Sequence, residues 1–177
     1  MKIIKIFILS FVSLIFVING YGQSCKIEFY LLKKEIARDS TNFYVMPSFS
    51  ATIEDIEDEP FITDDEIISF SILSSKIREG RIFKVPESVT KRINKLKIPL
   101  CCGKPFALLV NGTIVYTGYF WNLVSSFGCK GIFVFASDDE LRFRRLPDFG
   151  SENNVWDIRQ DSDLFDCLKA TNRMKEE

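Results

Sequence analysis

The chain has 177 residues, with 23 basic and 24 acidic side chains, five cysteines and no histidine. Without an imidazole, Ser-His-Asp and Cys-His constellations cannot be built and zinc sites that use histidine are excluded. Carboxylate, lysine, tyrosine or thiol chemistry is what remains for an enzyme.

Residues Met1 to Gly22 read as an export leader. Lys2 and Lys5 supply a positive start, and Ile6 to Ile18 is apolar apart from Ser10 and Ser13. That run is too short for a spanning helix, which needs about 20 apolar residues, and suits a signal core. Gly20 and Gly22 place the cleavage before Gln23; the alternative is an uncleaved anchor. Residues 23–177 then form one secreted domain with 21 positive and 24 negative side chains. A net acidic chain lacks the basic face that phosphate binding requires, so no nucleic-acid partner is expected. Cys25 resembles the acceptor cysteine of a bacterial lipoprotein, although Gly22 stands where that pattern has an aliphatic residue. The alternative is a cysteine at the start of the first strand. The expected location is periplasmic, outer-membrane-anchored or extracellular, with membrane contact only through a lipid on Cys25.

Lys26 to Leu32 is rich in aromatic and branched residues and predicts a first strand. Residues 38–66 read as a long polar connection, with eight acids between Glu54 and Glu66. They lack the glycine of a calcium loop and read as a solvated acidic face, a calcium-dependent switch being the alternative. Thr63-Asp64-Asp65-Glu66 has the form of a capping box and predicts a short helical turn. Ile67 to Leu73 alternates as a half-buried strand does, and Ile82 to Val85 follows as another. Pro86 to Lys97 predicts an amphipathic helix, with Val89, Ile93 and Leu96 on one face and Lys91, Arg92 and Lys95 solvated.

Asn111-Gly112 between Phe106–Val110 and Thr113–Tyr116 predicts a β-hairpin with a type I′ turn. Strands at Gly131–Ala136 and around Leu141–Arg144 follow. A last helix begins near Asp163, with Leu164, Cys167 and Leu168 on its apolar face, and the tail after Thr171 is expected to fray. Together these predict an α+β domain, with helices packed on one face of a mainly antiparallel sheet.

The order of strand, FITDDEIISFSI, strand and helix, then CCGKPFALLVNGTIVYTGYFWNLVSS, resembles the first periplasmic head domain of the SecD family of protein-export subunits. The resemblance spans residues 61–135. It departs from the family at Gly118-Tyr119-Phe120-Trp121, where a proline is usual, and in having no following membrane helices. What it implies is a fold, with no translocase activity carried over.

The expected function is that of a non-enzymatic binding or interaction module whose partner is a protein or another envelope component. Tyr116, Tyr119, Phe120 and Trp121 are the candidate binding surface, because Tyr and Trp are favoured interface anchors; the alternative is that these rings pack the hairpin. A second function is thiol or redox chemistry at Cys101-Cys102, adjacent thiols near Lys104. No cofactor and no metal ligand set are read.

Export exposes thiols to oxidation. A vicinal Cys101–Cys102 disulfide is disfavoured by backbone strain. With Cys25 lipidated or free, one of the vicinal pair, Cys102 slightly favoured, is expected to bond Cys129. Cys167 pairs with the other or stays a buried thiol.

Overall fold

The computed structural model describes residues 25–38, 44–75, 78–145 and 158–175. The leader expected over residues 1–22 lies outside them. No helix among the described residues is long and apolar enough to cross a membrane.

The strands are β1 (Ile27–Leu31), β2 (Val45–Met46), β3 (Ser69–Ser75), β4 (Arg78–Lys84), β5 (Lys104–Val110), β6 (Thr113–Phe120), β7 (Gly128–Cys129), β8 (Ile132–Ser137), β9 (Glu140–Arg145) and β10 (Met174–Lys175). Two helices accompany them, α1 (Glu87–Asn94) and α2 (Ile158–Ala170), with 3-10 turns at Ile53–Asp55 and Asp64–Glu66. Eight strands form one sheet in the order β1-β5-β6-β8-β9-β4-β3-β10, and β2 with β7 makes a separate parallel ladder. Within the large sheet β6 runs parallel to β8 and β3 parallel to β10, so the sheet is mixed.

The sheet curls on itself. Phe29 stands on edge strand β1 and Phe83 on β4, five steps along the strand order, yet their ring centroids are 5.8 Å apart. In a flat sheet those strands would be separated by about 24 Å. Phe29 also meets Phe106, Phe120 and Phe143, on three further strands. Phenylalanines from strands across the sheet therefore meet in the hollow of the curl, where burial of large rings is the main source of stability. Helix α1 adds Val89 and Ile93 to this cluster, and α2 adds Leu164, Cys167 and Leu168.

The α+β expectation is thus corrected: the described residues are mostly β, a curled eight-stranded mixed sheet with two short helices. The reason lies in the phenylalanines, which fill the inside of the sheet and leave the helices little of the core to cover. The tail also differs from expectation. Instead of fraying, Met174 and Lys175 pair with Phe70 and Ser71.

Local signals shaped the turns as their chemistry requires. Asn111 and Gly112 take φ of 51° and 79°, the positive pair that a type I′ turn demands. Glu66 accepts hydrogen bonds from the backbone N–H and hydroxyl of Thr63, closing the carboxylate half of the capping box. Strand β5 is apolar from Pro105 to Val110 because both its faces are covered: Phe106, Leu108 and Val110 enter the phenylalanine core, while Ala107 and Leu109 join Leu32 and Ile56 on the other side.

The two ends of the described chain are clasped together. Cys25 is disulfide-bonded to Cys167 across 142 positions. Beside that bond the Arg173 guanidinium donates to the Asp64 carboxylate at 2.8 Å, to the Asp64 carbonyl at 3.0 Å and to the Cys25 carbonyl at 3.4 Å. The Ile27 N–H donates to the same Asp64 carboxylate at 2.8 Å. This is the bond the protein forms in place of the expected Cys102–Cys129 pairing. The linear distance of 142 positions conceals a Cα separation of 5.3 Å.

Candidate functional site

The four aromatic candidates are accounted for by packing. Phe120 points inward and is fully buried among Phe29, Phe61 and Phe106. Tyr116 is 6% exposed and accepts a hydrogen bond from Arg81 at 2.8 Å. Tyr119, on the opposite face of β6, and Trp121, just past its end, pack with Met46, Cys129 and Phe133. That outer face is roofed by the connection read from sequence as polar and solvated. The Pro47 carbonyl accepts from the Tyr119 hydroxyl at 2.9 Å, the Phe49 carbonyl accepts from Thr117, and the Phe49 ring meets Tyr119 edge-on. The expectation of an exposed aromatic surface is therefore not met in this chain. Burial also raises the Tyr119 phenol above its ordinary range.

Some acids of residues 54–66 are engaged in structure, while Glu54, Asp55, Glu57, Asp58 and Glu59 are exposed to solvent. Asp55 accepts from the Thr52 N–H and hydroxyl, which lowers its carboxyl. Glu66 holds Arg92, and Asp64 holds Arg173. Asp58, Glu59 and Asp65 line a groove of about 720 Å³ together with Glu28, whose carboxylate is paired with Lys26 at 2.8 Å. No group of three or more Cys, Asp or Glu side chains among the described residues is placed to hold a metal ion.

Chemistry collects instead in the turn before β5. Gly103 makes this turn possible in two ways. Its φ is +64°, and a Cβ there would stand 2.6 Å from the Trp121 ring and 2.8 Å from the Tyr119 Cβ. Only glycine lets the backbone lie against that aromatic face. The turn presents Cys101 and Cys102 side by side, partly exposed, with their sulfurs 2.6 Å apart. The Arg38 guanidinium donates to the Cys102 sulfur at 3.0 Å and lies 5.4 Å from the Phe127 ring centroid, and Phe127 in turn stacks with Tyr44. Lys104 is directed away from the thiols toward Glu35, at 3.1 Å.

This environment separates the two thiols. The hydrogen bond from Cys102, followed by the Arg38 charge, lowers the Cys101 thiol below its ordinary value, because both favour the thiolate. Burial and the neighbouring Cys101 raise Cys102. The arrangement is that of an attacking thiol beside a more protonated one. Cys129 is different: it is buried beneath the outer face and its thiol is pushed up to about 11.

Around the turn the surface is apolar. Leu100, Leu123 and Val124 are 53%, 65% and 78% exposed, and Tyr44 is 70% exposed. The Ser125 hydroxyl donates to the Leu100 carbonyl and so ties the 122–125 turn to the thiol turn. Four of the six large hydrophobic side chains that are exposed among the described residues therefore belong to this one region. Arg38, Phe127 and the Leu123–Val124 pair were not singled out in the sequence. The Leu-Val pair carried a signal, two adjacent apolar residues in a turn, but Arg38 reaches Cys102 across 64 positions and had none.

Cys25 and Cys167 are joined to each other, and a sulfur in a disulfide has no valence left for a thioether-linked lipid. The bond belongs with an oxidising, non-cytoplasmic environment. No protein-family model matches the chain, and no curated protein is significantly similar to it. The resemblance of residues 61–135 to the SecD head domain stands on sequence order alone.

Proposed function

We propose that the protein is an exported component of the cell envelope that works as a non-enzymatic interaction module, binding its partner through the apolar rim of Tyr44, Leu100, Leu123 and Val124. One observation carries this reading: most of the large apolar side chains left exposed among the described residues are gathered beside a single turn. Scattered exposed hydrophobics are ordinary, whereas a gathered set marks a contact surface. The Cys25–Cys167 bond supports export, since such bonds persist outside the cytoplasm. Chemically, the rim offers aliphatic and aromatic contact with one guanidinium at its border, which suits a protein surface better than a polar glycan or nucleic acid.

The test is co-sedimentation of the purified protein with the envelope fraction of the producing cells. Leu123→Asp combined with Val124→Asp leaves the melting temperature unchanged, because neither side chain is in the core, and abolishes sedimentation. Equal sedimentation of the variant and the natural protein overturns the reading.

A further inference from the structure

We infer that Cys101 and Cys102 form a thiol–disulfide exchange site, with Cys101 attacking a disulfide presented at the apolar rim and Cys102 resolving the mixed disulfide. The inference rests on the proposed contact surface for its partner, a protein whose disulfide is flanked by apolar side chains. Its chemistry rests on the turn itself.

Three features converge there. Cys101 and Cys102 are chain neighbours whose sulfurs are in direct contact, so the second thiol already stands where a resolving nucleophile must be. The Arg38 guanidinium, held over Phe127, donates to the Cys102 sulfur and favours negative charge on the pair, while Cys102 packs against the Tyr119 and Trp121 cluster and Cys101 does not. The turn is bordered by exposed Leu100 and, through the Ser125 contact, by Leu123 and Val124. By contrast Cys129 is buried, and Cys25 and Cys167 are already bonded. The vicinal pair is thus the accessible dithiol among the described residues.

The reaction balances as a two-electron exchange. The Cys101 thiolate attacks one sulfur of the substrate disulfide, forming a Cys101–substrate bond and breaking the substrate S–S bond; the departing thiolate takes a proton from water. Cys102 then loses its proton to water and its sulfur attacks Cys101, releasing the second substrate sulfur as a thiol. Two protein thiols are oxidised to a vicinal disulfide while one substrate disulfide is reduced to two thiols; because the vicinal bond carries backbone strain, the substrate is a disulfide that is itself strained or has a low-pKa leaving thiol. The exchange is stoichiometric: each protein molecule turns over once until an external thiol reduces it.

Dithiodipyridine, a small aromatic disulfide, tests the chemistry without any docking partner. The protein is reduced mildly enough to leave Cys25–Cys167 closed, treated with the reagent at neutral pH, and followed by thiopyridone release and intact mass. The natural protein is expected to release two thiopyridones in its fast phase and to lose two hydrogens with no adduct retained. Cys102→Ser is expected to release one and keep a pyridylthio adduct mapped to Cys101. Cys101→Ser and Arg38→Gln are expected to slow the fast phase by about tenfold. An adduct that persists on the natural protein, or a Cys101→Ser variant with an undiminished fast phase, overturns the inference. The mass result on the natural protein stands even if a variant folds poorly. Envelope co-sedimentation can fail while this exchange succeeds, so the two readings are tested apart.

Discussion

Glu66 and Arg92 meet fork to fork, with the two guanidinium nitrogens 3.0 and 2.7 Å from the two carboxylate oxygens. The same guanidinium donates to the Phe61 carbonyl and lies over the Phe61 ring, so one pair joins helix α1, the capped turn and the segment that covers β1. Partial burial works to raise the Glu66 carboxyl. The bonds from Arg92 and Thr63 outweigh it and hold the carboxyl below its ordinary value.

A carboxyl depressed in the folded state stabilises the fold above its unfolded value, and that contribution disappears as pH falls through the folded value. Urea denaturation from about pH 6 down to about pH 3 should therefore show stability declining below the ordinary glutamate value of 4.5. Glu66→Gln should cost about 1 kcal/mol at neutral pH, a modest figure because the pair is partly solvated. The difference between the variant and the natural protein should close toward the acid end. A gap independent of pH would assign the loss to shape and not to charge.

Closing a loop of 142 positions restricts the unfolded chain strongly. On chain-entropy grounds, removing the bond by Cys25→Ser should lower the unfolding free energy by about 5 kcal/mol, and Cys167→Ser should match it within about 1 kcal/mol. Guanidinium unfolding of both variants checks this. Peptide mapping without reductant should recover Cys25 and Cys167 together. Recovery of a diacylglyceryl Cys25 would contradict the pairing outright.

Phe29 is the ring that most strands share. Phe29→Ala should destabilise the protein by about 3 to 5 kcal/mol, the range for emptying a large buried ring. Because the cavity would open between strands distant in sheet order, near-ultraviolet circular dichroism should change together with stability. A loss below about 1 kcal/mol would mean that the rings can close over the gap, and that the curl does not depend on this contact.

Short-range chemistry made much of this fold legible. The Asn111-Gly112 turn, the Thr63 to Glu66 cap and the apolar faces of α1 and α2 each depend on residues a few positions apart, and their side chains act where the spacing places them. Long-range neighbours were not legible. Alternation on β6 shows that Phe120 and Tyr119 face opposite ways, but not that Phe49 and Pro47 come down over Tyr119 from 70 or so positions earlier. Nor could local pattern pair β6 with β8 in parallel, or set β10 beside β3. The thiol pair was visible as Cys101-Cys102; the guanidinium that differentiates the two sulfurs comes from a segment with no periodic signal.

Gly103 offers a sharp check on the thiol turn. Gly103→Ala combines a left-handed φ with a Cβ driven into Trp121, so it should destabilise the protein by about 2 to 4 kcal/mol. It should also shift tryptophan fluorescence, since Trp121 is the ring displaced. Unchanged emission with lost stability would place the strain in the backbone alone.

The clasp formed by Cys25, Asp64, Cys167, Arg173 and Met174 has a consequence for timing. Strand β3, made early, finds one of its two sheet neighbours only when residues 174–175 have been synthesised, and the first cysteine waits for the same stretch of chain. The outermost edge of the sheet is thus completed last. While those residues are still missing, β3 has an open edge and Cys25 an open thiol, so a nascent chain stays loosely folded along this edge until Cys167 and residues 174–175 have been made.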